Sequence, residues 1–207
     1  MRILNLYAGI GGNRKLWGKP AKWGDDIRIT AVENDQDIAN EYKNLFPNDN
    51  VITGDAHEFL LNNYHKYDFI WSSPPCQTHS SFRQNIGVRY RGVKAEYPDM
   101  RLYQEILFLK YNFKGKWVVE NVKPYYEPLI EPSIYLDRHL FWSNFTILPA
   151  NFKRENIRTA QIPQLSKQHG FDLSKTKLKN KRQVLRNCVL PELGKHILDQ
   201  LTPLQDK

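Results

Sequence analysis

Arg2-Ile3-Leu4-Asn5-Leu6-Tyr7-Ala8-Gly9-Ile10-Gly11-Gly12 begins as an apolar run and ends on three glycines. Residues 2–7 read as a buried strand, the glycines as a turn, and residues 13–19 as a helix stopped by Pro20. The alternation continues down the chain: a strand over 27–33, a helix over 37–46, a short strand over 50–53 and a helix over 59–64. A strand over 67–71, a helix over 99–113 and a strand over 116–121 follow. Strands separated by helices predict an α/β fold, a mostly parallel doubly wound sheet with helices on both faces. Beyond Val122 the pattern changes. Residues 123–132 are rich in proline and tyrosine, 141–148 read as a further strand, and 149–181 are polar, basic and weakly periodic. That stretch is expected to be a partly irregular recognition insertion. Residues 191–201 close the chain as a helix with Pro191 in its first turn.

The 207 residues, 41% hydrophobic and 25% charged, suit one sizeable core and exclude a disordered chain. No run reaches the eighteen or so apolar residues of a membrane span, and the N-terminus lacks a signal-peptide pattern. The expectation is a soluble, cytoplasmic protein without a membrane partner. Cys76 and Cys188 make no disulfide framework, and no metal-ligand spacing is present. Positive charge is concentrated late: residues 146–207 hold 12 Lys/Arg against 5 Asp/Glu, including Lys179 and Arg182. A second basic island, Arg83, Arg89, Arg91 and Lys94, has no acid before Glu96. Such clusters suit a polyanion, although a charge run taken alone is as often a solvated face.

Ligands of an open α/β sheet bind at the carboxyl ends of its strands. The glycines there permit close backbone approach, and Glu33, ending the second strand, is placed to accept ribose hydroxyls of a nucleotide-type cofactor. Asp55, beyond the third strand, is placed to receive an adenine amino group. Ser72-Ser73-Pro74-Pro75-Cys76-Gln77 follows the fourth strand. A lone cysteine is most often a small core hydrophobe, but two prolines stop the strand and hold Cys76 in a loop, where a thiolate would act as nucleophile.

Taken in order, these segments resemble the DNA cytosine-C5 methyltransferase family. Tyr7-Ala8-Gly9-Ile10-Gly11-Gly12 is similar to its cofactor loop, Val32-Glu33-Asn34-Asp35 to its second motif and Gly54-Asp55 to its third. Pro74-Pro75-Cys76-Gln77 is similar to the nucleophile loop, and Glu120-Asn121-Val122 to the Glu-Asn-Val motif. Arg138-His139-Leu140-Phe141 resembles the strand carrying Arg-x-Arg, and Arg186-Asn187-Cys188-Val189-Leu190-Pro191 the segment returning to the cofactor pocket. The resemblance implies a Rossmann-like class I fold using S-adenosylmethionine, with residues 1–145 catalytic, 146–181 a reduced target-recognition segment and 182–207 returning to the catalytic unit. It implies Cys76 as nucleophile at cytosine C6, Glu120 on N3 and the exocyclic amine, and Arg138 at O2. The cofactor would meet Tyr7, Ala8, Gly9, Gly11, Gly12, Glu33, Asn34, Asp55, Ala56, Pro74, Asn187 and Val189. A monomer acting on double-stranded DNA, with a flipped target base, would hold it through Gln77, Ser80, Arg83, Arg89, Arg91, Lys94, Lys179 and Arg182. Gln77, Thr78, His79, Ser80, Ser81 and Arg83 are placed to fill the gap left by that base, with a solvated loop histidine as the other reading of His79.

Three departures stand out. Leu140 occupies the second arginine position, Arg186 replaces the glycine of the closing motif, and 146–181 is too short for a full recognition domain. Selectivity is therefore slight, or residues 80–98 or a partner subunit supply it. A compact enzyme of the phage or mobile-element kind fits best, and a tRNA cytosine-C5 methyltransferase or an idle regulatory homologue are the alternatives.

Overall fold

The first strand, β1 (Arg2–Leu6), lies inside a seven-stranded sheet, paired in parallel with β2 (Arg28–Glu33) on one side and β4 (Phe69–Ser72) on the other. A computed structural model describes residues 1–18, 27–156 and 159–201. β3 (Asn50–Thr53) extends the sheet beyond β2, and β5 (Lys116–Val122) beyond β4, both parallel. β7 (His139–Ser143) then runs antiparallel beside β5, with β6 (Ile134–Leu136) at the edge. The order β3-β2-β1-β4-β5-β7-β6 makes this the expected doubly wound, Rossmann-like α/β fold, with its switch point between β1 and β4.

Strand alternation divides the core in two. Ile3, Phe69, Trp71, Val118 and Phe141 point to one face, where Trp17 and the closing helix α6 (Pro191–Asp199) cover them through Leu193 and Ile197. Leu4, Leu6, Ile70, Val119 and Leu140 point to the other, covered by α2 (Ala56–Asn63) and α3 (Arg101–Asn112). α1 (Gln36–Leu45) packs Tyr42 against Ala31 and Ala8, with Asp35 as its N-cap.

The helix expected over 13–19 is not formed in its described part, residues 13–18, and Lys19 lies outside the described residues. Asn13 instead exchanges two side-chain hydrogen bonds with buried Asn5, at 2.8 and 3.3 Å. Its backbone also abuts Gly194, where a Cβ would stand 2.1 Å from the Asn13 carbonyl oxygen. These tertiary ties outweigh a local helix. The strand expected over 141–148 starts and ends earlier, because the Asn144 side chain bonds Gly115 O and Trp117 N and takes the chain off the sheet. β6 had no expectation; three residues between prolines and a two-residue turn are too few to show a period.

Residues 149–181 are irregular in part, yet contain α4 (Ile162–His169), with α5 (Lys181–Asn187) after them. Leu165, Phe171, Leu173, Leu178 and Leu185 bury a satellite core against Ile10 and Cys188. No helix among the described residues is long and apolar enough to cross a membrane, and no group of metal-ligating side chains occurs among them.

Candidate active site

At the switch point the chain leaves β1 through Tyr7 at φ 55°, Gly9 at φ 55° and Gly11 at φ 83°, left-handed values that glycine adopts freely and tyrosine does not. Nothing lies within 4 Å of where a Gly9 Cβ would stand, so the loop opens onto free space there. Behind it, a Cβ on Gly12 would come within 2.7 Å of the Cys188 side chain and the Val189 carbonyl, so glycine lets the returning segment close on the loop. The Glu33 carboxylate braces the turn, accepting from Gly9 N at 2.9 Å and Asp35 N at 3.0 Å.

One cavity of about 550 Å³ is bounded by this loop, the Pro74-Pro75-Cys76 loop, the end of β5, the β6–β7 turn and residues 178–189. Its walls include Tyr7, Ala8, Gly9, Gly12, Glu33, Asn34, Pro74, Cys76, Gln77, Glu120, Arg138, Lys179, Asn187 and Val189. Residues from Tyr7 to Val189 thus meet at one cavity. Gly11, Asp55 and Ala56 do not line it: Gly11 faces Tyr42 and Phe46, and Ala56, the first residue of α2, is buried in the core. The Asp55 side chain caps α2 through Glu58 N and meets Arg101 at 3.4 Å.

Cys76 is half-buried, and its carbonyl accepts from His79 N and Ser80 N in the turn that follows. Burial pushes its thiol up to about 11, the Glu120 charge acts in the same direction, and Arg138 opposes them. Burial also raises Glu120 to about 7, while a Ser73 hydrogen bond and the Arg138 charge hold it down. Ser73 is itself fixed by the Trp71 indole at 2.8 Å. Arg138 is anchored through Arg186 O at 2.7 Å, and Asn121 donates to Pro74 O at 2.9 Å, tying β5 to the Cys76 loop. Leu140 is buried on the opposite face of β7, so the cavity-side residue of that strand is His139.

The expected nucleic-acid contacts divide. Arg89 and Arg91 are exposed at the end of a helical segment over 83–91, and Lys94 is exposed in the irregular chain after it. Arg83 pairs with Glu96 at 3.0 Å, Ser80 accepts from Arg83 N, and Arg182 donates to Ala160 O. His79 is neither a wedge nor a solvated histidine; it is fully buried, with Nδ1 2.5 Å from Tyr126 OH and Nε2 3.0 Å from Asp99 O.

Glu105 carried no motif and was missed. It is fully buried on α3, accepting from Tyr7 OH and Ser72 OH at 2.5 Å each, with His57 Nδ1 at 3.0 Å. One carboxyl therefore links the start of the loop after β1 to the end of β4. Glu105→Leu strands two hydroxyls in the interior, and urea unfolding should show a loss of about 2–5 kcal/mol. A loss under about 1 kcal/mol would mean that water replaces the carboxyl.

The C-5 cytosine-specific DNA methylase family matches residues 1–125. Among solved structures, a DNMT2 variant from Spodoptera frugiperda is 26% identical, over 59% of this chain and 35% of that one, with a TM-score of 0.40. A protein described as a DNA modification methyltransferase encoded within a prophage (E. coli) is 23% identical, over 61% and 33%, with a TM-score of 0.38. The methyltransferase EhMeth of Entamoeba histolytica is 14% identical, over 59% and 38%, with a TM-score of 0.39. This chain spans between 33% and 38% of the length of these three. No curated protein matches it by sequence. With the family covering residues 1–125 and a class I methyltransferase fold, the chain belongs to the C-5 cytosine-specific DNA methylase family.

Proposed function

We propose that the protein is an S-adenosylmethionine-dependent DNA cytosine-C5 methyltransferase that acts through a covalent bond from Cys76 to C6 of a flipped cytosine. The observation that carries this reading is that Cys76, Glu120 and Arg138 share one cavity with the open Gly9 turn and Glu33. The cofactor fits the residues present: a Cβ at Gly9 would stand in open space, and Glu33 retains lone pairs beyond its two backbone bonds. Tyr7, Ala8, Gly9, Glu33, Asn34 and Val189 would hold it, and when bound it supplies an electrophilic methyl group.

Each protein group has a defined task. The Cys76 thiolate adds to C6, and the displaced ring electrons make C5 nucleophilic. Glu120, half-protonated near pH 7, donates to N3 and accepts from the exocyclic amine as negative charge builds on the ring. Arg138 offers its guanidinium to O2 and favours the thiolate. Once C5 has taken up a methyl group, loss of its proton to water expels the Cys76 sulfur and restores the aromatic base. Because C6 is shielded in stacked DNA, the target base must leave the helix, and exposed Arg89, Arg91, Lys94 and Lys179 would hold the phosphates. Sequence selection falls to residues 146–181, to 80–98, or to a partner subunit.

The test supplies labelled S-adenosylmethionine with duplex DNA, with tRNA, or with neither, followed by nucleoside analysis. Label in DNA as 5-methylcytosine is expected. Label in RNA alone would move the substrate to the other nucleic acid, and label on adenine would remove the reading altogether.

A further inference from the structure

Beside Glu120 the cavity holds a second buried titratable side chain that no step above uses. His139 opens β7, pairs across the sheet with Val122 and is 4% exposed. Its Nε2 lies 3.5 Å from Glu120 Oε1, and its buried Nδ1 has no hydrogen-bond partner. A neutral imidazole carries one proton. On Nδ1 it would leave a donor stranded in the interior; on Nε2 it meets a carboxyl oxygen and leaves only a bare acceptor unpaired. Buried orphan donors are rare in folded proteins, so the proton belongs on Nε2. Burial and the charges of Arg138 and Arg154 keep the ring from taking a second.

We propose that His139 is a positioning residue for Glu120: its Nε2–H holds Oε1, turning the carboxyl toward the pyrimidine edge. The inference rests on the base-activating role of Glu120 given above. The contact is long for a hydrogen bond, as catalytic contacts in unliganded sites commonly are. Ser73 holds the same carboxyl from the nucleophile loop, so Glu120 is fixed between two elements. Neutrality matters. A permanent cation at this point of β7 would favour ionised Glu120, the form unable to donate to N3, whereas neutral His139 orients the group with a weaker pull. The other charged or titratable groups facing the pair are Arg138 in the β6–β7 turn, Arg154 beyond β7 and Cys76 after β4.

The experiment follows the Glu120 carboxyl by ¹³C NMR, assigned with Glu120→Gln, in the wild type, His139→Asn and His139→Gln. Glutamine can place an N–H near the Nε2 position, and asparagine is too short. Losing a donor to the carboxylate should move the Glu120 midpoint up by about one pH unit in His139→Asn, and by less than about half a unit in His139→Gln. In methyl-transfer assays His139→Asn should lower kcat about ten- to a hundredfold at unchanged cofactor Kd. An unmoved midpoint in folded His139→Asn overturns the proposal, as does equal behaviour of the two variants. Should His139→Asn not fold, ¹⁵N imidazole shifts of the wild type decide, and a proton on Nδ1 overturns it. A wild type that transfers no methyl group would instead remove the catalytic reading, while the titration still judges the contact.

Discussion

Cys76→Ser should abolish methyl transfer, with a fall of at least about a thousandfold, because serine at this site has neither the acidity nor the polarisability to add to C6. DNA carrying 5-fluorocytosine provides the direct readout: with no C5 proton to lose, the wild-type adduct persists as a denaturant-resistant complex, and the variant should form none. A trapped Cys76→Ser complex would place the nucleophile elsewhere. Burial has a further consequence. A thiol pushed up to about 11 is ionised in only about one molecule in a thousand at pH 8, so free Cys76 should alkylate slowly. Protonation of Glu120 removes the opposing charge beside the thiol. Engaging the base through a protonated Glu120 therefore makes the thiolate easier to form where it is needed.

Glu120→Gln should lower turnover about a hundredfold or more, and at pH 8 it should make the protein more stable. The sign follows from linkage. Folding raises Glu120 from its ordinary 4.5 to about 7, so its stabilising contribution is complete below about 4.5 and is lost as pH rises through 7. The difference amounts to roughly 3 kcal/mol of stability missing at pH 8. Glutamine keeps the shape and cannot ionise, so urea unfolding at pH 5 and pH 8 should show most of that pH dependence gone. Equal stability of variant and wild type at pH 8 would mean that the carboxylate is solvated in the folded protein. Loss of cofactor affinity equal to the loss of turnover would move Glu120 into the cofactor pocket.

The strands and motifs were legible because their physics is local. Buried strands such as β1, β4 and β5 write continuous apolar runs into the chain, and two prolines before Cys76 announce a loop wherever they occur. Glu33, Cys76 and Glu120 could be named from their places at strand ends, and the structure brings all three to one cavity. Local reading failed where distant contacts decide. The helix expected over 13–19 gave way to Asn5 and Gly194, and the stretch over 149–181 gained a core from scattered leucines that show no period.

By itself the sequence determined the parallel α/β architecture, the order of the motifs and the placing of a cysteine on a proline-bounded loop, since strand periodicity and turn chemistry depend on neighbours along the chain. Only the tertiary structure decided which groups act on one another. Glu105 joins Tyr7 and Ser72 across 98 and 33 residues of sequence, His79 is buried between Tyr126 and Asp99, and Asp55 caps a helix. It also turned Leu140 into the core and left His139 against Glu120, because alternate residues of β7 face opposite sides of the sheet. Desolvation, which sets the protonation of Cys76 and Glu120, exists only once the chain has closed around them.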